Sequence, residues 1–129
     1  MPYTSKVQQR LQAEMPQDAT PSALVVRFTV RPGAEAQFDA LVAETAAGIR
    51  DHEPGTLVYA CHGVQDQPRQ RIFYELYQDR AAFEAHEQKA HTRRFLAERK
   101  ALLEATEVDR LALADGKTPA NGRAASRDA

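Results

Sequence analysis

Two stretches of this sequence concentrate side chains able to move protons. The first is Phe73-Tyr74-Glu75-Leu76-Tyr77-Gln78-Asp79 and the second is Ala82-Phe83-Glu84-Ala85-His86. On a strand, Phe73, Glu75 and Tyr77 share one face. A carboxylate between two aromatic rings is costly to bury without a partner. It must reach solvent, accept hydrogen bonds, or serve proton chemistry. His86 follows on a predicted helix with Phe83 one turn before it, so its ring can turn back over the sheet. A glutamate and a histidine meeting in an apolar cavity suit a general base and a neighbour that tunes it. The same pair suits a structural hydrogen bond fixing helix to sheet, and spacing alone leaves both readings open.

The other reactive side chains are more scattered. The histidines are His52, His62, His86 and His91. A metal site from His62, His86, His91 and Glu75 is chemically conceivable, but no pair has ligand spacing on one continuous helix, and no metal is expected. His62 falls on the same strand face as Val58, Ala60 and Val64, so it either lines the cavity as a substrate contact or sits at a strand end. His91 reads as a loop residue before a helix capped by Thr92. Arg93 and Arg94 read as a solvated face, and His52 as a cation at a helix end. Cys61 reads as a small buried hydrophobe. There is no Gly-rich phosphate loop, GxSxG elbow or HExxH sequence, so neither a nucleotide cofactor nor a serine nucleophile is indicated.

The elements that would hold these groups follow from periodicity. Leu24, Val26, Phe28 and Val30 alternate with Val25, Arg27, Thr29 and Arg31 as a strand that Pro32-Gly33 stops. Phe38, Leu41, Val42, Thr45 and Ile49 recur at helical spacing between Ala34 and His52. Thr56 to Val64 and Gln70 to Gln78 read as strands, joined by a loop at Asp66-Gln67-Pro68 and preceded by the turn Glu53-Pro54-Gly55. Asp79 is placed to cap a helix from Arg80 to Lys89. A second helical piece runs from Thr92 to Leu103, and Glu107 to Leu113 reads as the last strand. Strand, helix, two strands, broken helix and strand make a split β-α-β, ferredoxin-like α+β domain with helices on one face of an antiparallel sheet.

The middle strands are apolar on both faces. Leu57, Tyr59 and Cys61 alternate with Val58 and Ala60, and Ile72, Tyr74 and Leu76 with Phe73 and Tyr77. Helices cover one face; the other is expected to close against a second copy, sheet on sheet. A strictly monomeric species in sedimentation at micromolar concentration would refute that homodimer.

Composition sets the outer limits. The chain has 129 residues, with 17 Lys+Arg against 18 Asp+Glu and a formal net charge of −1. That size fits one domain, expected at 22–115, between an N-terminal extension (1–21, with a short helix around Lys6 to Glu14) and a flexible tail (116–129). The balanced charge excludes a strongly basic nucleic-acid binder. No apolar run reaches the roughly 20 residues of a membrane span. The N-terminus lacks the apolar run of a secretory signal, and one cysteine allows no internal disulfide. A cytoplasmic protein is expected.

Glu53-Pro54-Gly55-Thr56-Leu57-Val58-Tyr59, the run from Phe73 to Asp79, Ala81-Ala82-Phe83-Glu84-Ala85-His86, and His91-Thr92 with Phe95 together resemble the antibiotic biosynthesis monooxygenase (ABM) family. The resemblance spans about residues 22 to 115. It implies a dimeric α+β barrel and, among characterised members, cofactor-free oxygenases acting on quinols, anthrones and polycyclic phenols. Carried onto this chain, it makes Glu75 and His86 the proton-handling pair, Tyr77 a hydrogen-bond donor, and Phe73 and Phe83 the wall around a small aromatic substrate that reacts with O2. Other members isomerise small phosphorylated ketones, for which Arg27, Arg31 or Arg71 would have to point into the cavity. A haem-degrading branch uses a pocket tryptophan, and this chain contains none. A dimer that only sequesters an apolar ligand is the non-catalytic alternative.

Overall fold

The computed structural model describes residues 20–119; the expected helix around Lys6 to Glu14 and the end of the tail lie outside them. The chain runs β1 (Ser22–Val30), α1 (Glu35–His52), β2 (Thr56–Val64), β3 (Gln67–Tyr77), α2 (Arg80–Gln88) and α3 (Ala90–Glu98). A 3-10 turn (Arg99–Ala101) and β4 (Leu103–Leu111) complete it. The four strands form one antiparallel sheet in the order β2-β3-β1-β4. This is the ferredoxin-like α+β arrangement read from the sequence.

The alternation in β1 explains which face the helices take. Leu24, Val26, Phe28 and Val30 are all buried, and they meet Phe38, Leu41 and Val42 of α1 and Phe95 of α3. Phe28 is the hub, with ring centroids 5.4 Å from Phe38, 4.8 Å from Phe73 and 6.1 Å from Phe95. Burying each such ring stabilises the fold by about 1.5–3 kcal/mol. All five apolar-face positions expected in α1, Phe38, Leu41, Val42, Thr45 and Ile49, are buried. Thr45 satisfies its hydroxyl by donating to the Leu41 carbonyl at 2.9 Å.

Element boundaries shift where local backbone chemistry intervenes. The β2–β3 connection is a tight turn at Gln65-Asp66 rather than a longer loop, because Asp66 takes a left-handed φ of 65° that an aspartate tolerates. Asp79 caps α2 as expected, its carboxylate accepting from the Ala82 N–H at 2.8 Å. Thr92 is not a cap: it lies inside α3, and Lys89 precedes that helix. The last helical piece stops at the 3-10 turn, so Leu103 pairs with Val30 as the start of β4. Leu113, expected in the last strand, falls beyond it. Cys61 is exposed rather than buried, since β2 is an edge strand with no neighbour on its outer side.

The second sheet face is covered in part by the chain itself. Ala23 and Leu76 are buried there, beside a groove bordered by Leu111 and Leu113. Val25, Val58, Ala60, Ile72 and Tyr74 on the same face are half-buried. Among the described residues no helix is long and apolar enough to cross a membrane.

Candidate functional site

Strand register places four side chains in one row across the helix-covered face. Arg110 of β4 pairs with Leu24 of β1, Leu24 with Glu75 of β3, and Glu75 with Tyr59 of β2. This row floors a cavity of about 210 Å³. Phe83 and His86 of α2 form one wall, Phe95 and Leu96 of α3 another, and Arg99 of the 3-10 turn also lines it.

His86 is buried at the centre of a polar chain. Its Nδ1 lies 2.8 Å from Oε1 of Glu53 and 3.3 Å from the Thr92 hydroxyl. Glu53 ends α1, in the turn before β2, and is itself buried. The Thr56 hydroxyl donates to its Oε1 at 2.6 Å, and its Oε2 accepts from Nε2 of His91. Burial pushes the Glu53 carboxyl up, but hydrogen bonds from Thr56 and His91, with His86 alongside, together outweigh it. Glu53 is therefore held below the ordinary carboxylate range and stays ionised at neutral pH. An ionised carboxylate only accepts, so Nδ1 of His86 is the donor in this pair. Among the described residues Nε2 makes no hydrogen bond, and the His86 ring lines the cavity.

Two glycines allow this packing. A Cβ on Gly48 would lie 2.5 Å from Nδ1 of His91, and one on Gly55 would lie 2.7 Å from the Ala82 Cβ. The first lets the His91 ring lie flat against α1. The second lets α2, which carries His86, approach the Glu53 turn.

Glu75 and His86 thus line one cavity but spend their hydrogen bonds elsewhere. Glu75 is buried and accepts from the Tyr77 hydroxyl at 2.5 Å. Burial raises its carboxyl above the ordinary value of 4.5, against the pull of that hydrogen bond and the nearby His86 and Arg99. A raised folded-state value contributes stability that is full below the unfolded value and lost as pH rises through the folded one. Glu75→Gln keeps an acceptor for Tyr77 and removes the titration. Thermal unfolding across pH should show the variant gaining on the wild type as pH rises above about 4.5. A stability difference that does not change with pH would contradict this account of Glu75.

The remaining expected site residues divide clearly. Phe83 lines the cavity, its ring 5.2 Å from Tyr77 and 6.4 Å from His86. Phe73 is fully buried in the aromatic core and does not line it. Tyr77 is also fully buried, and its hydroxyl is committed to Glu75. His62 is exposed near the far end of β2, with Nδ1 3.2 Å from the Ile72 carbonyl, away from the cavity. Arg93 and Arg94 are exposed as expected, Arg94 pairing with Glu44 and Glu98. Arg27 bonds Gln70, Arg71 holds Asp39 through two hydrogen bonds, and Arg31 is exposed past β1, so none of the three lines the cavity.

Sequence reasoning missed Glu53, His91, Tyr59, Arg99 and Arg110 as site residues. Tyr59 was accessible from the register, since alternation in β2 puts it opposite Glu75. Glu53 lies 33 residues before His86 and offers no local pattern. Among the described residues no group of three His, Cys, Asp or Glu side chains is arranged to hold a metal ion.

The profile of the family described as antibiotic biosynthesis monooxygenase matches residues 21–98, more than half of the chain. The chain belongs to the antibiotic biosynthesis monooxygenase family. Among solved structures, PA3566 from Pseudomonas aeruginosa is 28% identical with a TM-score of 0.68, over 74% of this chain and 96% of that one. Rv0793 from Mycobacterium tuberculosis is 27% identical with a TM-score of 0.71, over 77% of this chain and 100% of the other. A structure named as an antibiotic biosynthesis monooxygenase shares the fold at 23% identity, TM-score 0.67, over 73% and 99% of the two chains. No curated protein matches the chain in sequence.

Proposed function

We propose that the chain is a cofactor-independent monooxygenase that oxidises a small quinol-like or anthrone-like aromatic compound with O2, and that His86 is its base. The observation that carries this reading is the His86 ring itself. It is buried, tied at Nδ1 to an ionised Glu53, and lines a partly open cavity. A carboxylate behind an imidazole fixes the basic tautomer and stabilises the imidazolium formed when a proton arrives.

In this reading Nε2 removes a phenolic or benzylic proton from the substrate. The resulting anion is electron-rich enough to reduce O2 directly. For a benzylic methylene the two C–H bonds are replaced by one C=O bond. One oxygen atom of O2 stays on that carbon, and the other leaves as water with the two hydrogens. The substrate supplies the electrons, so the protein needs a base, a dry cavity and donors for the anion. Tyr59 is the donor that faces the cavity; burial raises its hydroxyl pKa, so it stays protonated and able to donate. Glu75, raised by burial, is the second proton-handling group, and Phe83 is part of the apolar wall. A volume of about 210 Å³ is below the usual 300–1,000 Å³ of drug-sized ligand pockets and favours quinols of one or two fused rings over three-ring anthrones. The half-buried apolar residues of the second sheet face support a working homodimer.

The test is oxygen-electrode screening of the chelator-treated protein with 1,4-dihydroxynaphthalene-type quinols and with anthrones. Substrate-dependent uptake that survives chelation is expected; none with either class would overturn the reading. Arg99 and Arg110 at the cavity also favour a second reading, proton transfer on a small anionic carbonyl compound. That reaction proceeds without oxygen, whereas the first does not.

A further inference from the structure

Two guanidinium groups at the cavity have no carboxylate partner among the described residues. Arg99 is half-buried and stacks over aromatic faces, its Cζ 5.4 Å from the Phe28 ring centroid and 5.6 Å from that of Phe95. Arg110 lies 5.4 Å above the ring of Phe83. Neither makes an ion pair with a described residue, although Arg69, Arg71, Arg80 and Arg94 all do. Glu75 acts on Arg99 only at a distance, and Glu87 stands exposed at the rim. Burial pulls the Arg99 guanidinium below its ordinary value, yet it stays charged. A cation held among apolar rings without an anion carries a desolvation cost that an anionic ligand would offset.

Resting on the function proposed above, we propose that the substrate is an aromatic quinol bearing a carboxylate, which Arg99 receives while Arg110 draws it in from the β4 side. In this proposal the ring takes the apolar part of the cavity at Leu24, Phe83 and Phe95, its carboxylate meets Arg99, and a ring hydroxyl is left for His86. The planar guanidinium, already oriented by Phe28 and Phe95, offers paired N–H donors that match a carboxylate.

The test is anaerobic calorimetric titration of the full chain with 1,4-dihydroxy-2-naphthoate and with 1,4-dihydroxynaphthalene. The carboxylated compound should bind about tenfold or more tightly, the scale of a charge-assisted paired hydrogen bond. Arg99→Met should bring the two affinities within about twofold of each other, and Arg99→Lys should retain part of the preference. Should Arg99→Met fail to fold, Arg110→Gln should weaken the preference, as should high salt. Equal affinities in the wild type, no binding of either compound, or a preference untouched by these changes would overturn the proposal. A preference that persists while neither compound supports oxygen uptake would refute the oxygenase reading and leave this assignment standing.

Discussion

Replacing His86 with alanine should lower oxygen-consuming turnover of a quinol by about 100-fold or more, the scale of lost general-base catalysis. The loss falls mainly on turnover, because the rings of Phe83 and Phe95 and the Leu24 side chain that hold the substrate remain in place. Alanine also leaves the buried, ionised Glu53 with Thr56 and His91 alone, which costs about 1–3 kcal/mol of stability. His86→Gln separates the two effects, since its amide can still donate to Glu53 but offers no basic nitrogen. Turnover of either variant within a few-fold of the wild type, measured with the oxygen electrode, would remove His86 from the chemistry.

The second large effect is expected one residue back along the same hydrogen-bonded chain. Glu53→Gln removes the charge that keeps the Nδ1 proton in place, and its amide cannot accept from His86, His91 and Thr56 together. Turnover should fall by about 100-fold, the consequence of misorienting an imidazole base. Stability should change in a pH-dependent way. A carboxyl held below its ordinary value of 4.5 contributes stability that is present above the unfolded value and lost as pH falls through the folded one. The wild type should therefore lose stability in acid more steeply than Glu53→Gln. Parallel acid limbs in thermal unfolding would mean that Glu53 is not held in this way.

The sequence made much of this scaffold readable, for identifiable reasons. Period-2 alternation in β1 and 3.6 spacing in α1 are both strong because each element buries a single face, and the structure keeps every apolar position they named. The cap at Asp79 was legible because a cap is a local device. Boundaries failed where one backbone torsion decides, at Asp66, or where a helix tightens into a 3-10 turn, at Arg99–Ala101.

The site was legible in outline only. His86, Glu75 and Phe83 could be named because each follows from the face of a single element. The partners of His86 could not. Glu53 read as one letter of a Pro-Gly turn, and His91 as a loop residue, because only the docking of α2 and α3 against the end of α1 brings them together. Arg99 carried no local signal, because it is the 3-10 turn that sets it over Phe28 and Phe95. Long-range juxtaposition leaves no local spacing to count.

The central claim is that Nε2 of His86 takes the substrate's proton so that the anion can react with O2. Its most direct test is the ratio of wild-type to His86→Ala oxygen uptake, measured with chelator-treated protein as pH rises toward the ionisation of a phenol near about 10. If His86 is the base, a substrate that ionises unaided no longer needs it, and the ratio shrinks steadily toward one. A ratio that stays constant across that range would contradict the account.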